Sequence, residues 1–186
     1  MSKLQLTLAI LKPHLVANPL AVKDIRNLIL NNNFKIIKWR RHNLTLEDAE
    51  KFYSEHKTKF FYNRLVTFMT SGASEMYILA RENAISEREN AISEWRKLMG
   101  PTKVFKTQFE VPTSIRGIYG YSDTRNATHG SDSEESAKRE IAIFFPEFDY
   151  ESWFYKEERC FREDNIEFLN DLFLHRIKNL RTAGRI

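Results

Sequence analysis

The chain has 186 residues, 42% of them hydrophobic and 13% aromatic, which is enough for one well-packed domain with an appendage and short for two. No apolar run approaches the ~20 residues that cross a bilayer, so no membrane is expected as a partner, and the single cysteine, Cys160, excludes a disulfide framework and a cysteine-rich zinc site. The net charge of +4 suits an anionic partner such as a nucleotide, a nucleic acid or an acidic lipid.

In chain order, Leu4 to Leu11 reads as a strand that stops at Lys12-Pro13. Asn18-Pro19 offers an N-cap with proline at the first helical position, and LAVKDIRNLIL repeats apolar residues at helical spacing until three asparagines break it. Phe34 to Leu44 reads as a second strand. Thr45 then caps a helix with Glu47 and Asp48 in its first turn, where carboxylates favour the dipole. The pattern predicts a further helix over 60–69, a strand over 75–80, a helix over 82–99, a fourth strand over about 117–121, and a helix over about 133–145. This order predicts an α+β fold of the ferredoxin-like split β-α-β class, a four-stranded antiparallel sheet covered by helices. Residues 1–149 would form that domain. Residues 150–186, aromatic and charged and then amphipathic in NIEFLNDLFLHRIKNL, read as a C-terminal helical extension, docked on the domain or reserved for a protein partner.

The N-terminal stretch MSKLQLTLAI has neither the long apolar core nor the cleavage pattern of a secretory signal, and a strand from Leu4 leaves no room for an ordinary transit peptide. An intracellular, cytoplasmic protein is expected, and the sequon Asn126-Ala127-Thr128 is read as chance. RENAISE occurs twice in tandem, at 81–87 and 88–94. Two copies of seven residues cannot make a solenoid, but seven residues are nearly two helical turns, so a duplication preserves the apolar stripe to within about 20°.

Among groups able to do chemistry, His129 stands in TRNATHGSDSEES, where a polar loop gives way to a helix. Taken singly it is an ordinary loop residue, a metal ligand or a reactive group. Ser131 and Glu134 have capping-box spacing, so free N–H groups suited to an anion would lie near the imidazole. Glu140, deeper in the same helix, could fix the imidazole tautomer. Lys12, ending the first strand, has a position that suits a phosphate-binding lysine. Arg96, Thr102 and Arg116 are polar groups in the segment that reverses the chain, and Phe60, Phe61 and Tyr53 could form an aromatic face. For each cation a solvated surface role, and for each aromatic a core role, is the commoner outcome.

Arg125-Asn126-Ala127-Thr128-His129-Gly130-Ser131-Asp132-Ser133 resembles the active-site signature of the nucleoside diphosphate kinases. LKP at 11–13, YSEHKTKFF at 53–61, RKLMGPT at 96–102, SIRG at 114–117 and SAKREIAIFFP at 136–146 follow in the same order, and the whole is most similar to a divergent branch of that family. The resemblance covers about residues 4–150. It implies a ping-pong transfer of the γ-phosphate of ATP to nucleoside diphosphates through a phosphohistidine, yielding the other nucleoside triphosphates. By motif position His129 would be the nucleophile, and Lys12, Arg96 and Arg116 would hold phosphates. Thr102 and Asn126 would bind phosphate and ribose hydroxyl, and Phe61 would stack on the base. Tyr53 would position the phosphoryl group, while Ser131 and Glu140 orient the imidazole. Magnesium would arrive with the nucleotide. The implied partners are ATP and nucleoside diphosphates, with a homo-oligomer as a further expectation; nucleic acid is disfavoured. The branch leaves mitochondria open as a compartment.

The chain departs from the family pattern at three places. His14 stands where an acid usually follows Lys-Pro, and the stretch from Thr102 to Arg116 is a few residues longer than the commonest form. The RENAISE duplication precedes Arg96, and the second copy is expected to hold the native place while the first projects. A second functional expectation, of another class, is a weakly active nucleotide-binding protein that acts through a partner.

Overall fold

The computed structural model describes residues 3–82 and 90–178. Strand β1 (Leu4–Leu11) is apolar on one face, carries Gln5 and Thr7 with Ala9 and Leu11 on the other, and is almost wholly buried, as a central strand covered on both sides must be. Its last carbonyls run into the one-turn helix α1 (Pro13–Val16), and α2 (Pro19–Asn31) follows, with the Asn18 side chain accepting from the N–H groups of Leu20 and Ala21. After β2 (Lys35–His42) comes α3 (Leu46–Phe52), opened by a reciprocal cap between Thr45 and Asp48. A 3-10 turn (Ser54–His56), α4 (Tyr62–Met69), β3 (Ser74–Glu82), α5 (Ala91–Met99), α6 (Val104–Glu110) and α7 (Ile115–Tyr119) lead to β4 (Thr128–Gly130) and α8 (Glu134–Phe144).

The strands order β2-β3-β1-β4, and every pairing is antiparallel. This is the ferredoxin-like arrangement expected. Side chains of β1 alternate between two cores. Leu6, Leu8 and Ile10 meet Phe52, Tyr53, Ile141 and Phe144 on one face, while Ala9 and Leu11 meet Ala21, Ile25, Trp95 and Ile115 on the other.

Three expectations about elements need correction. The fourth strand is not at 117–121, which instead ends α7. There Ser114 caps the helix through Gly117 N–H, and a local hydrogen bond of that kind overrides the β character of Ile118 and Tyr119. The true edge strand is the three-residue β4, with His129 opposite Ile10, too short to show any alternation. Of the helix expected over 82–99, Glu82 is instead the last residue of β3, in register with Leu4, and α5 takes up the helix from Ala91. Most of the first RENAISE copy, and with it the expected projection, lies outside the described residues, while the second supplies the Asn90 cap and the first turn of α5.

The extension is helical only at first, in α9 (Tyr150–Lys156) and α10 (Glu158–Arg162). NIEFLNDLFLHRIKNL is not an amphipathic helix; β5 (Ile166–Leu169) and β6 (Leu174–Ile177) form a hairpin there. Short apolar runs satisfy either period, and here the sheet decides. The hairpin lies against β2, with Ile36 N–H donating to His175 Nδ1 at 2.9 Å and Trp39 Nε1 to the Leu172 carbonyl at 2.6 Å. The Arg26 guanidinium stacks between Trp39 and Phe173, 4.3 and 4.6 Å from the ring centres. Trp153 and Phe161 are buried in the first core, and Leu4 N–H donates to Glu158 at 2.9 Å, so the described part of the extension is docked.

Candidate active site

A cleft of about 540 Å³ opens beside the end of β1. Lys12, Tyr53, Phe61, Arg96, Thr102, Arg116, Asn126, His129 and Glu140 all line it, so the fold gathers nine of the ten expected positions around one space. The tenth, Ser131, lies fully buried behind it.

His129 sits at the centre of β4 with 24% of its side chain exposed. Its Nε2 lies 3.0 Å from Glu140 Oε2, and the same carboxylate oxygen accepts from Ser131 Oγ at 2.7 Å. Ser131 Oγ in turn accepts from Leu8 N–H at 3.2 Å. A carboxylate accepts, so Nε2 carries the proton and Nδ1 keeps its lone pair. Ser131 is therefore not the first half of a capping box. Ser133 caps α8, accepting from Ser136 N–H at 3.1 Å, and Ser131 is free to fix Glu140 instead.

Two residues that sequence reasoning missed hold the histidine from other sides. Phe52 meets the imidazole edge to face at 4.9 Å, and Trp95 Nε1 donates to the His129 carbonyl at 3.1 Å. The indole comes so close that a Cβ on Gly130 would collide with it. Each stands beside a residue that was recognised, Phe52 before Tyr53 and Trp95 before Arg96, and nothing in their spacing distinguished them from core aromatics.

The cations are built in. Lys12 is buried, and its Nζ donates to Asn126 Oδ1 at 2.6 Å. Burial, and then the Arg116 guanidinium nearby, pull its pKa down to about 7. Arg116 is also buried, donating to the carbonyls of Gly100 at 2.8 Å and Thr128 at 3.1 Å and to Thr102 Oγ at 3.3 Å. Burial and Arg96 pull it down to about 10, and its Nε has no partner among the described residues. Lys12 is left only partly charged near neutral pH, beside an Arg116 that keeps its charge, and an anion in the cleft would restore the lysine to full charge. Asp132, at the mouth of α8, is held below its ordinary range chiefly by a hydrogen bond with Ser136.

The connection into β4 is strained. Ala127 has φ +69°, a left-handed conformation that costs a non-glycine residue about 1 kcal/mol. Its carbonyl accepts from Lys12 N–H at 2.9 Å, which fixes the lysine's backbone to the strand bearing the histidine.

The far wall is aromatic. Tyr53 is buried, and burial with Glu140 nearby raises its pKa. Phe60 and Phe61 pack edge to face at 5.4 Å, with His56 at 5.7 Å from Phe61 and Arg64 over the Phe60 ring at 5.4 Å. Arg139, also absent from the expected set, links Glu55 at 3.2 Å to the flank of Glu140 at 3.9 Å.

The carboxylates of this cleft have protein partners. Glu140 serves His129 and Ser131, and Asp123 accepts from Lys103 at 2.9 Å and from Val104 N–H at 3.1 Å. No cluster of three or more His, Cys, Asp or Glu side chains among the described residues is placed to hold a metal ion. Among the described residues no helix is long and apolar enough to cross a membrane.

The sequence model described as Nucleoside diphosphate kinase matches residues 5–150. The chain is 48% identical over 180 residues to "Nucleoside diphosphate kinase 6" of Danio rerio, covering 95% of this chain and 96% of that one. It is 50% identical over 160 residues to the human protein of the same name, with coverage of 84% and 82%. Among solved structures, the nucleoside diphosphate kinase of Aquifex aeolicus superposes with a TM-score of 0.70 at 33% identity, covering 76% of this chain and 95% of that one.

Proposed function

The chain belongs to the nucleoside diphosphate kinase family, and we propose that it transfers the γ-phosphoryl group of ATP to nucleoside diphosphates in two half-reactions through His129. In the first, the Nδ1 lone pair attacks the γ-phosphorus, a P–N bond forms, the bond to the bridging oxygen breaks, and ADP leaves. In the second, a terminal oxygen of the acceptor diphosphate attacks the phosphohistidine, and the P–N bond breaks as the new P–O bond forms. Glu140, buttressed by Ser131, keeps the proton on Nε2 and stabilises the ring as it gains positive character.

Lys12, Arg96 and Arg116 neutralise the phosphate oxygens, with Thr102 and Asn126 completing the polar contacts to phosphate and ribose. Lys12 would draw its ammonium proton firmly once an anion is present. Tyr53 packs beside the transferring group, and Phe61 stacks on the base, a contact that tolerates any ring. Magnesium, bound with the nucleotide, supplies charge neutralisation on the phosphates. We take residues 1–149 as the catalytic domain and 150–186 as an extension of it. The cytoplasm is the proposed compartment, with mitochondria second.

One observation carries this reading. The His129–Glu140–Ser131 chain opens into the same cleft as two buried, depressed cations. A second reading, a nucleotide-binding protein of low turnover that acts through a partner, draws support from α6, whose Phe105 and Phe109 are 75% and 73% exposed.

Incubation with γ-labelled ATP tests both. The first reading expects an acid-labile, base-stable phosphoprotein that loses its label to GDP, and no label on His129→Gln. Label that survives the substitution would overturn the histidine assignment. A labelled protein unable to pass its phosphate to GDP would favour the second reading.

A further inference from the structure

His14 lies outside the chemistry just described, yet it touches both arms of the phosphate site. It is the second residue of α1, two positions after Lys12, and its Nε2 lies 3.1 Å from the carbonyl of Tyr119. Tyr119 ends α7, one turn after Arg116, and that carbonyl is among those a helix leaves without an internal partner. A carbonyl only accepts, so Nε2 carries the proton and the lone pair lies on Nδ1. Nδ1 is buried and has no hydrogen-bond partner among the described residues. The ring lies between Phe68 of α4 at 5.5 Å and Tyr121 at 5.1 Å. Burial, against the opposing bond to Tyr119, and then Lys12 on its own segment and Arg125 on the segment after α7 hold its pKa below the ordinary imidazole range, and Arg41 of β2 lines the same cavity. The imidazole is thus kept as a neutral donor.

We propose that His14 is a positioning residue, whose bond to the Tyr119 carbonyl ties the turn carrying Lys12 to the helix carrying Arg116 and holds these two like charges together before any phosphate arrives. The proposal rests on the reading of the cleft as a phosphate site. Lys12 and Arg116 repel each other in the unliganded cleft. A tie between their backbones sets that repulsion against a fixed frame, and the anion then meets cations that need no reorganisation. An ionised carboxylate at position 14 could not donate to the carbonyl; a neutral amide could.

The test compares full-length wild type with His14→Gln, which keeps a neutral donor, and His14→Phe, which keeps a ring without one. His14→Met serves as a second donorless variant if the larger ring disturbs folding. The first readout, the NMR titration of lysine-labelled protein, needs no nucleotide. Wild type and His14→Gln should show Lys12 titrating near 7, and the donorless variants should titrate higher, as the cations drift apart. Folded donorless variants with an unmoved Lys12 titration would overturn the proposal, and so would equal movement in His14→Gln. The second readout is ADP affinity by calorimetry, expected to weaken roughly five- to tenfold without the donor and to be restored in His14→Gln. A wild type that binds no ADP would sink the phosphate-site reading, while the lysine titration would still decide whether His14 acts as a tie.

Discussion

At the deep end of the cleft, Lys12, Arg116 and Glu140 are already bonded to protein atoms between 2.6 and 3.3 Å away. At the mouth, Phe60 is 89% exposed and Phe61 rests against other rings. One end is a polar network fixed before ligand arrives; the other is an adaptable apolar wall. On the proposed function, the contrast would assign precision to the phosphoryl group, which all nucleoside triphosphates share, and tolerance to the base, in which they differ. Preorganised charge gains its value where charge moves, and stacking is indifferent to which ring is stacked.

Three experiments can break this contrast or sharpen it. Glu140→Gln should strike the deep end hardest, because an amide can donate to Nε2 and so reverse the imidazole tautomer. The rate of phosphohistidine formation should fall about 100-fold with little change in nucleotide affinity; an affinity loss without a rate loss would move Glu140 from orienting the nucleophile to binding.

The next effect concerns stability and pH. Lys12 titrates at about 7 in the fold against 10.5 for an ordinary lysine. Below pH 7 the amine is charged in both folded and unfolded chains, so the cost of burying that charge is felt in full. Between 7 and 10.5 the unfolded chain binds the extra proton, and stability therefore rises with pH. Urea unfolding should show wild type gaining on Lys12→Met by on the order of 2 kcal/mol from pH 7 to pH 8.5. Parallel curves would mean that Lys12 stays solvated.

The smallest effect belongs to the mouth. Phe61→Ala should raise KM about tenfold for purine and pyrimidine nucleotides alike, with kcat kept. A loss confined to one base class would show that this wall reads the base.

Much of the site was legible because its residues fall in contiguous runs whose order survives folding. Lys12, Arg96, Arg116, His129 and Glu140 were each placed by a motif before any geometry was known. Caps were legible for a physical reason as well, since the bonds of Asn18 and Thr45 close within three residues. What was not legible depends on distant partners. β4 is three residues long and exists because Ile10 is there to pair with His129. The hairpin of β5 and β6 exists because β2 and Arg26 await it, and its apolar residues alone suit a helix equally well. Phe52 and Trp95 had no local signal, because one acts through a ring packed from another element and the other through a bond across 34 residues of chain. His14 stood out as a departure from the family pattern, but its partner, the Tyr119 carbonyl 105 residues on, did not.

Helix α5 opens on its own reciprocal cap between Asn90 and Ser93 and is pinned at its middle where Trp95 fills the space that Gly130 leaves. Between those two anchors the helix sets its own register, and Arg96 follows Trp95 whatever the length of chain before Asn90. A tandem copy of seven residues could therefore enter the gene beside the cleft and be inherited as a change of length that leaves Trp95, and with it the His129 carbonyl it holds, in place.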